Sequence, residues 1–129
     1  MATVLVVDDE PVILRLVESI LSAAGYRVVA ACGATAAEEA LERCSERPAV
    51  ILSDVVMPGT SGPTFAGRVV AAVPGLPVIL MSEFGEQQMR RYAFDHGFGF
   101  LPKPLNRAEL LKLVGELVPA PARTGGMAA

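Results

Sequence analysis

The sequence predicts a doubly wound α/β domain, a five-stranded parallel sheet in the order 2-1-3-4-5 with five helices on its two faces. Short β-branched and aliphatic runs at 3–7, 26–31, 50–54, 78–81 and 98–101 alternate with longer segments whose apolar residues recur every three to four positions. Strand and helix patterns that alternate in this way build βαβ units and a parallel sheet. Glycines and prolines punctuate the changes of period, at Gly25, Pro48, Pro74-Gly75 and Gly97. Four of the strand runs also end in polar residues, and in open α/β sheets that edge is where ligands bind.

Taken in order, Thr3 opens a β-branched run that stops at Asp8-Asp9-Glu10-Pro11. Pro11 suits a first helical turn, and Val12, Ile13, Leu16, Val17, Ile20, Leu21 and Ala24 form a helical stripe that Gly25 ends. The second strand leads to Thr35 and Glu38, which have the spacing of a capping box, before a helix with Ala37, Ala40, Leu41 and Cys44 on its buried side. The run Val50-Ile51-Leu52 is apolar enough to be covered on both faces, and it places Asp54 at a strand's carboxyl end. Pro63 then begins a helix carrying Phe65, Ala66, Val69 and Val73. The fourth strand ends at Ser82. A helix over 86–96 puts Met89, Tyr92 and Ala93 on one side, with Gly97 as its stop. The fifth strand runs into Pro102-Lys103-Pro104, and Asn106 with Glu109 caps a last helix buried through Leu110, Leu111, Val114 and Leu117.

The chain has 129 residues, 52% of them hydrophobic, with 11 Lys and Arg against 14 Asp and Glu. That suits one domain burying roughly two-thirds of its unfolded surface. A net charge of -3 offers no electrostatic case for nucleic acid. No apolar run approaches the ~20 residues of a membrane span, and the start lacks the features of a signal peptide, so a cytoplasmic location is expected. Cys32 and Cys44 stand far from the single His in apolar stretches and read as buried free thiols rather than a disulfide or metal site. The domain is expected over 1–118. The Pro-, Ala- and Gly-rich segment 119–129 has nothing to bury and reads as a disordered tail or linker.

In the order 2-1-3-4-5 the first and third strands are neighbours, so Asp8, Asp9, Asp54, Ser82 and Lys103 share one crevice. Crowded carboxylates repel one another, and a hard divalent cation with oxygen ligands keeps them ionised; Mg²⁺ is the expected ion. Taken singly, the Asp8-Asp9-Glu10 run reads equally as helix capping and Lys103 as a solvated amine. The combination of four strand ends is what argues for a site.

Val4-Leu-Val-Val-Asp-Asp-Glu10, Ser53-Asp-Val-Val-Met-Pro-Gly59, Met81-Ser82 and Leu101-Pro-Lys-Pro104 resemble the four signature stretches of the receiver domain of two-component response regulators, over about residues 3 to 118. The resemblance implies a flavodoxin-like fold and a phosphorylation-dependent switch. By position, Asp54 would accept the phosphoryl group, Asp8 and Asp9 would bind Mg²⁺ directly or through water, and the carbonyl of Val56 would be a further ligand. Ser82 and Phe100 resemble the switch residues, and Lys103 the amine that pairs with phosphate, with the Lys103-Pro104 bond cis. The family's partners are a sensor histidine kinase or histidine phosphotransfer domain, and a downstream protein reading the face of helix 4, strand 5 and helix 5; a homodimer is the other expected association. Such a domain assists its own phosphorylation and dephosphorylation without being a conventional enzyme.

The chain departs from the commonest pattern in places. Glu83 follows Ser82 where a small residue is usual, Val56 is apolar, and Gly97-Phe98-Gly99-Phe100 sets its first Gly one residue nearer to Lys103 than in many members. The stretches at 57–63 and 74–77 look more like receivers attached to hybrid histidine kinases. A stand-alone regulator and a receiver from a longer protein both accord with the sequence. The alternative function is a receiver-like interaction module that is never phosphorylated, for which loss of an acidic residue or the Lys would be expected; none is lost. A flavin-binding protein would need a phosphate-cradling loop where this chain is acidic, and an Asp-dependent phosphohydrolase usually has its nucleophile after strand 1.

Overall fold

A computed structural model describes residues 2–43, 47–55, 62–82 and 86–118. Among these residues five strands and five helices alternate: β1 (Thr3–Asp8), α1 (Pro11–Ala23), β2 (Arg27–Cys32), α2 (Ala34–Arg43), β3 (Val50–Asp54), α3 (Gly62–Ala72), β4 (Val78–Ser82), α4 (Glu86–His96), β5 (Gly99–Pro102) and α5 (Arg107–Leu117). The strands form one parallel sheet in the order β2-β1-β3-β4-β5, as the alternation predicts. Val4 is paired with Val50, Ile51 with Val78, and Ile79 with Gly99, so the carboxyl ends of β1, β3, β4 and β5 come out along one edge.

The period of two divides the core. Val4, Val6, Val50, Leu52, Ile79, Met81 and Leu101 face α1 and α5, where they join Leu14, Val17, Ile20, Leu21, Leu110 and Val114. Leu5, Val7, Ala31 and Ile51 face the other way onto α2 and α3, against Ala34, Ala37, Phe65 and Val69. Val78, Leu80 and Phe100 pack with Ala66 and Ala93 between α3 and α4. Every residue of β1, β3 and β4 is buried, which is why these strands read as continuous apolar runs. Gly99 sits where α5 comes closest to the sheet: a Cβ there would lie 3.1 Å from Ile79 Cγ1 and 3.2 Å from Leu113 Cδ2.

Several local expectations need correcting. In α1 the buried residues are Leu14, Val17, Ile20 and Leu21, while Val12, Leu16 and Ala24 are exposed. Nine of the thirteen residues of this helix are apolar, so its apolar arc is wider than the arc the sheet covers. Thr35 is the second residue of α2 and therefore not its N-cap. Cys32 is exposed rather than buried, at the end of an edge strand, with Sγ 3.8 Å from the carbonyl oxygen of Asp9. Cys44 and residues 119–129 lie outside the described residues. The expected stops at Gly25 and Gly97 have φ of 99° and 74°, left-handed values that glycine adopts without steric cost. The α5 cap is formed as expected, Asn106 Oδ1 accepting the Glu109 N–H at 3.0 Å. No described helix is long and apolar enough to cross a membrane.

Candidate phosphoacceptor site

Five polar residues are buried among those described, and four of them, Asp8, Ser53, Asp54 and Ser82, lie at the carboxyl ends of β1, β3 and β4. A buried polar group costs free energy unless it is paired, so this edge has to supply partners. Asp8 has both oxygens engaged: Oδ1 accepts the backbone N–H of Glu10 at 2.9 Å, and Oδ2 accepts from Lys103 Nζ at 3.0 Å. Asp54 Oδ1 lies 3.2 Å from the same ammonium. The side chains of Asp8, Lys103 and Asp54 are only 0%, 6% and 8% exposed, so the ammonium attracts the two carboxylates with little solvent screening. Glu10 Oε1 completes the group around Lys103 at 3.6 Å.

Lys103 reaches the crevice because the chain leaving β5 is bound to its neighbour. The Lys103 N–H donates to the Ser82 carbonyl at 2.8 Å, just as the Val55 N–H donates to the Met81 carbonyl at 2.9 Å. The Lys103-Pro104 bond is cis, as the resemblance implies. Burial pulls the Lys103 pKa down, but the hydrogen bond from its ammonium to Asp8 and the charges of Asp54 and Asp8 outweigh it and hold the pKa above the ordinary lysine value. The amine is a fixed cation at neutral pH.

Asp8, Asp9 and Asp54 each offer an oxygen, and the three atoms lie within 4.8 Å of one another. That separation is comparable with twice a metal–oxygen bond, ~4–5 Å. With Glu10, the described residues of the site hold four carboxylates and one ammonium. Such a set of hard oxygen donors with an excess of negative charge fits a hard divalent cation.

Of the residues singled out from the sequence, Asp8, Asp9, Asp54 and Lys103 are thus brought together. Ser82 is placed beside them by register, being paired with Pro102 at the end of β4. Phe100 lies deeper along β5 and is turned toward α4, its ring under the Arg90 guanidinium at 5.0 Å from the ring centroid. Val56 and Glu83 lie outside the described residues. Two contacts were not foreseen, Glu10 on Lys103 and Arg90 on Phe100. For Glu10 there was a signal, because Glu is not among the favoured N-cap residues, and one standing before a helix-initiating Pro has reason to point elsewhere.

The family model for the response regulator receiver domain matches residues 4–115. The chain is 34% identical over 118 residues to the sensor kinase CckA of Brucella abortus, a match covering 91% of this chain but only 12% of that protein. It is 37% identical over 114 residues to an uncharacterised 14.6 kDa protein of Leptolyngbya boryana, covering 86% of each. Among solved structures, the chemotaxis protein CheY4 of Vibrio cholerae superposes with a TM-score of 0.80 at 31% identity, over 92% of this chain and 99% of that one. A receiver domain protein from Clostridium thermocellum shares the fold with a TM-score of 0.84 at 24% identity, over 91% and 94% of the two chains. The chain belongs to the response regulator receiver domain family, a phosphoacceptor signalling module rather than a conventional enzyme.

Proposed function

We propose that Asp54 accepts a phosphoryl group from a phosphohistidine on a sensor histidine kinase or histidine phosphotransfer domain, and that the phosphorylated state is the signal. The observation that carries this is the placing of three carboxylates within 4.8 Å of one another, with a buried ammonium 3.2 Å from Asp54. Asp54 Oδ forms the new O–P bond as the P–N bond to imidazole breaks. Lys103, released from Asp54, pairs with a phosphoryl oxygen and offsets its charge. Asp9, more open to solvent than Asp8, and Asp54 would be the side chains that hold Mg²⁺, with Asp8 beside them as a direct or water-mediated ligand and the Val56 carbonyl as a further one. The ion, when bound, neutralises charge on the transferring group.

Ser82 is one strand away and takes the hydroxyl role, and Phe100 is the aromatic whose packing differs between the two states. The reader then docks on the face of α4, β5 and α5, or a second copy pairs there. Incubation with a small phosphodonor and MgCl₂, followed by intact mass measurement, tests the proposal. A gain of one phosphoryl group is expected, and no gain in Asp54→Asn.

A further inference from the structure

Glu10 is the N-cap residue of α1, yet its side chain makes no capping hydrogen bond. It reaches across the mouth of the site instead, with Oε1 3.6 Å from Lys103 Nζ and the side chain 59% exposed. Its backbone N–H holds Asp8 Oδ1 at 2.9 Å, while Lys103 holds Asp8 Oδ2 at 3.0 Å. The contacts close into a ring: Glu10 fixes Asp8 through its main chain and Lys103 through its carboxylate, and Lys103 binds Asp8. An ammonium has three N–H donors, and three carboxylates surround this one. Two of them are at the floor of the pocket, and Glu10 is at its rim.

We infer that Glu10 is a positioning residue for Lys103, receiving the ammonium when a cation occupies the carboxylate pocket; the inference rests on the metal site proposed above. A divalent cation among Asp8, Asp9 and Asp54 cancels the charge that draws Lys103 inward, and it repels the ammonium directly. Glu10 stands outside that set of three and keeps its charge. Lys103 then has an anionic partner on the open side of the site, where an incoming phosphoryl group arrives. Without Glu10 the displaced ammonium loses the carboxylate that the described residues place on that side, so it stays longer on Asp8 and Asp54 and competes with the cation. Glu10 therefore favours cation binding, and does so through Lys103.

Calorimetric titration of the full chain with MgCl₂ tests this in wild type, Glu10→Ala, Lys103→Met and the double variant. The expected result is about 2- to 5-fold weaker Mg²⁺ binding in Glu10→Ala, the effect of losing one half-exposed ion pair. In the Lys103→Met background, adding Glu10→Ala should cost less than it does in wild type. Unchanged affinity in Glu10→Ala overturns the inference, and so does an equal loss in both backgrounds, which would make Glu10 a charge acting on the cation itself. If wild type binds no Mg²⁺, the metal site and the inference fall together. Should Lys103→Met not fold, NMR of the Lys103 ε-methylene at saturating Mg²⁺ decides: it should be ordered in wild type and mobile in Glu10→Ala, and equal order in the two overturns the role.

Discussion

Two ion pairs in this molecule have nearly the same length and lie in opposite surroundings. Lys103 Nζ is 3.0 Å from Asp8 Oδ2 with the two side chains 6% and 0% exposed, whereas Arg68 on α3 is 3.2 Å from Glu38 on α2 with 56% and 40% exposed. Distance alone would rank them together. In water the Arg68 pair gains little, because its charges are already well solvated and ordering two long side chains costs entropy. At the strand ends, removing one partner strands the other without its counter-ion in a place water hardly reaches. The difference teaches that the pocket is a place where charge is held under constraint, while the α2–α3 contact decorates a surface.

The comparison is broken most sharply at Asp54. Asp54→Asn should abolish phosphoryl uptake in the mass assay, whereas Glu38→Gln should leave it intact. Next, Lys103→Met should lower stability by about 3 kcal/mol in metal-free solution, measured by denaturant unfolding, since it breaks a buried cluster from one side. The pH dependence has a definite sign. A lysine whose folded pKa is raised stabilises the fold fully below its unfolded value, ~10.4, and loses that contribution as pH rises through the folded value. The stability gap between wild type and Lys103→Met should therefore be constant from neutral pH to about pH 10 and narrow above it; a gap that closes between pH 6 and 8 would refute the assignment.

Asp9→Ala, which removes a more open carboxylate, should weaken Mg²⁺ binding at least ~10-fold by calorimetry. With no Trp in the chain, fluorescence quenching of that residue is no substitute. At the bottom of the scale, Arg68→Ala should change unfolding free energy by under about 0.5 kcal/mol and shift less still in high salt. A larger cost there would show that the exposed pair is structural after all.

Much of this architecture was readable from residue order. Strand runs buried on both faces announce themselves by unbroken aliphatic character, as in Val50-Ile51-Leu52, and the polar residues that end them stand out for the same reason. What could not be read is what depends on partners outside the window. The apolar arc of α1 is wider than the arc the sheet covers, so Val12 and Leu16 look like core and are not, and Leu14 is core. Cys32 sits on β2, where the edge of the sheet leaves one side open. In the pocket, residue types and strand ends were legible, but the direction of a long side chain was not. Glu10 has the position of a cap and the contacts of a rim residue, because a buried ammonium across the mouth attracts it more than the helix end does.

The hydrogen bond from the Lys103 N–H to the Ser82 carbonyl, 2.8 Å long, works as a mechanical joint. The ends of β4 and β5 are joined by it, so a shift at the end of β4 carries the root of the Lys103 side chain along. A device with one joint has fewer intermediate postures than a device with two hinges. If Ser82 moves toward an occupied Asp54 as proposed above, this bond would re-aim Lys103 in the same motion and pull on β5 behind it. The edge responds as a single lever, with its short arm in the crevice and its long arm reaching toward α5.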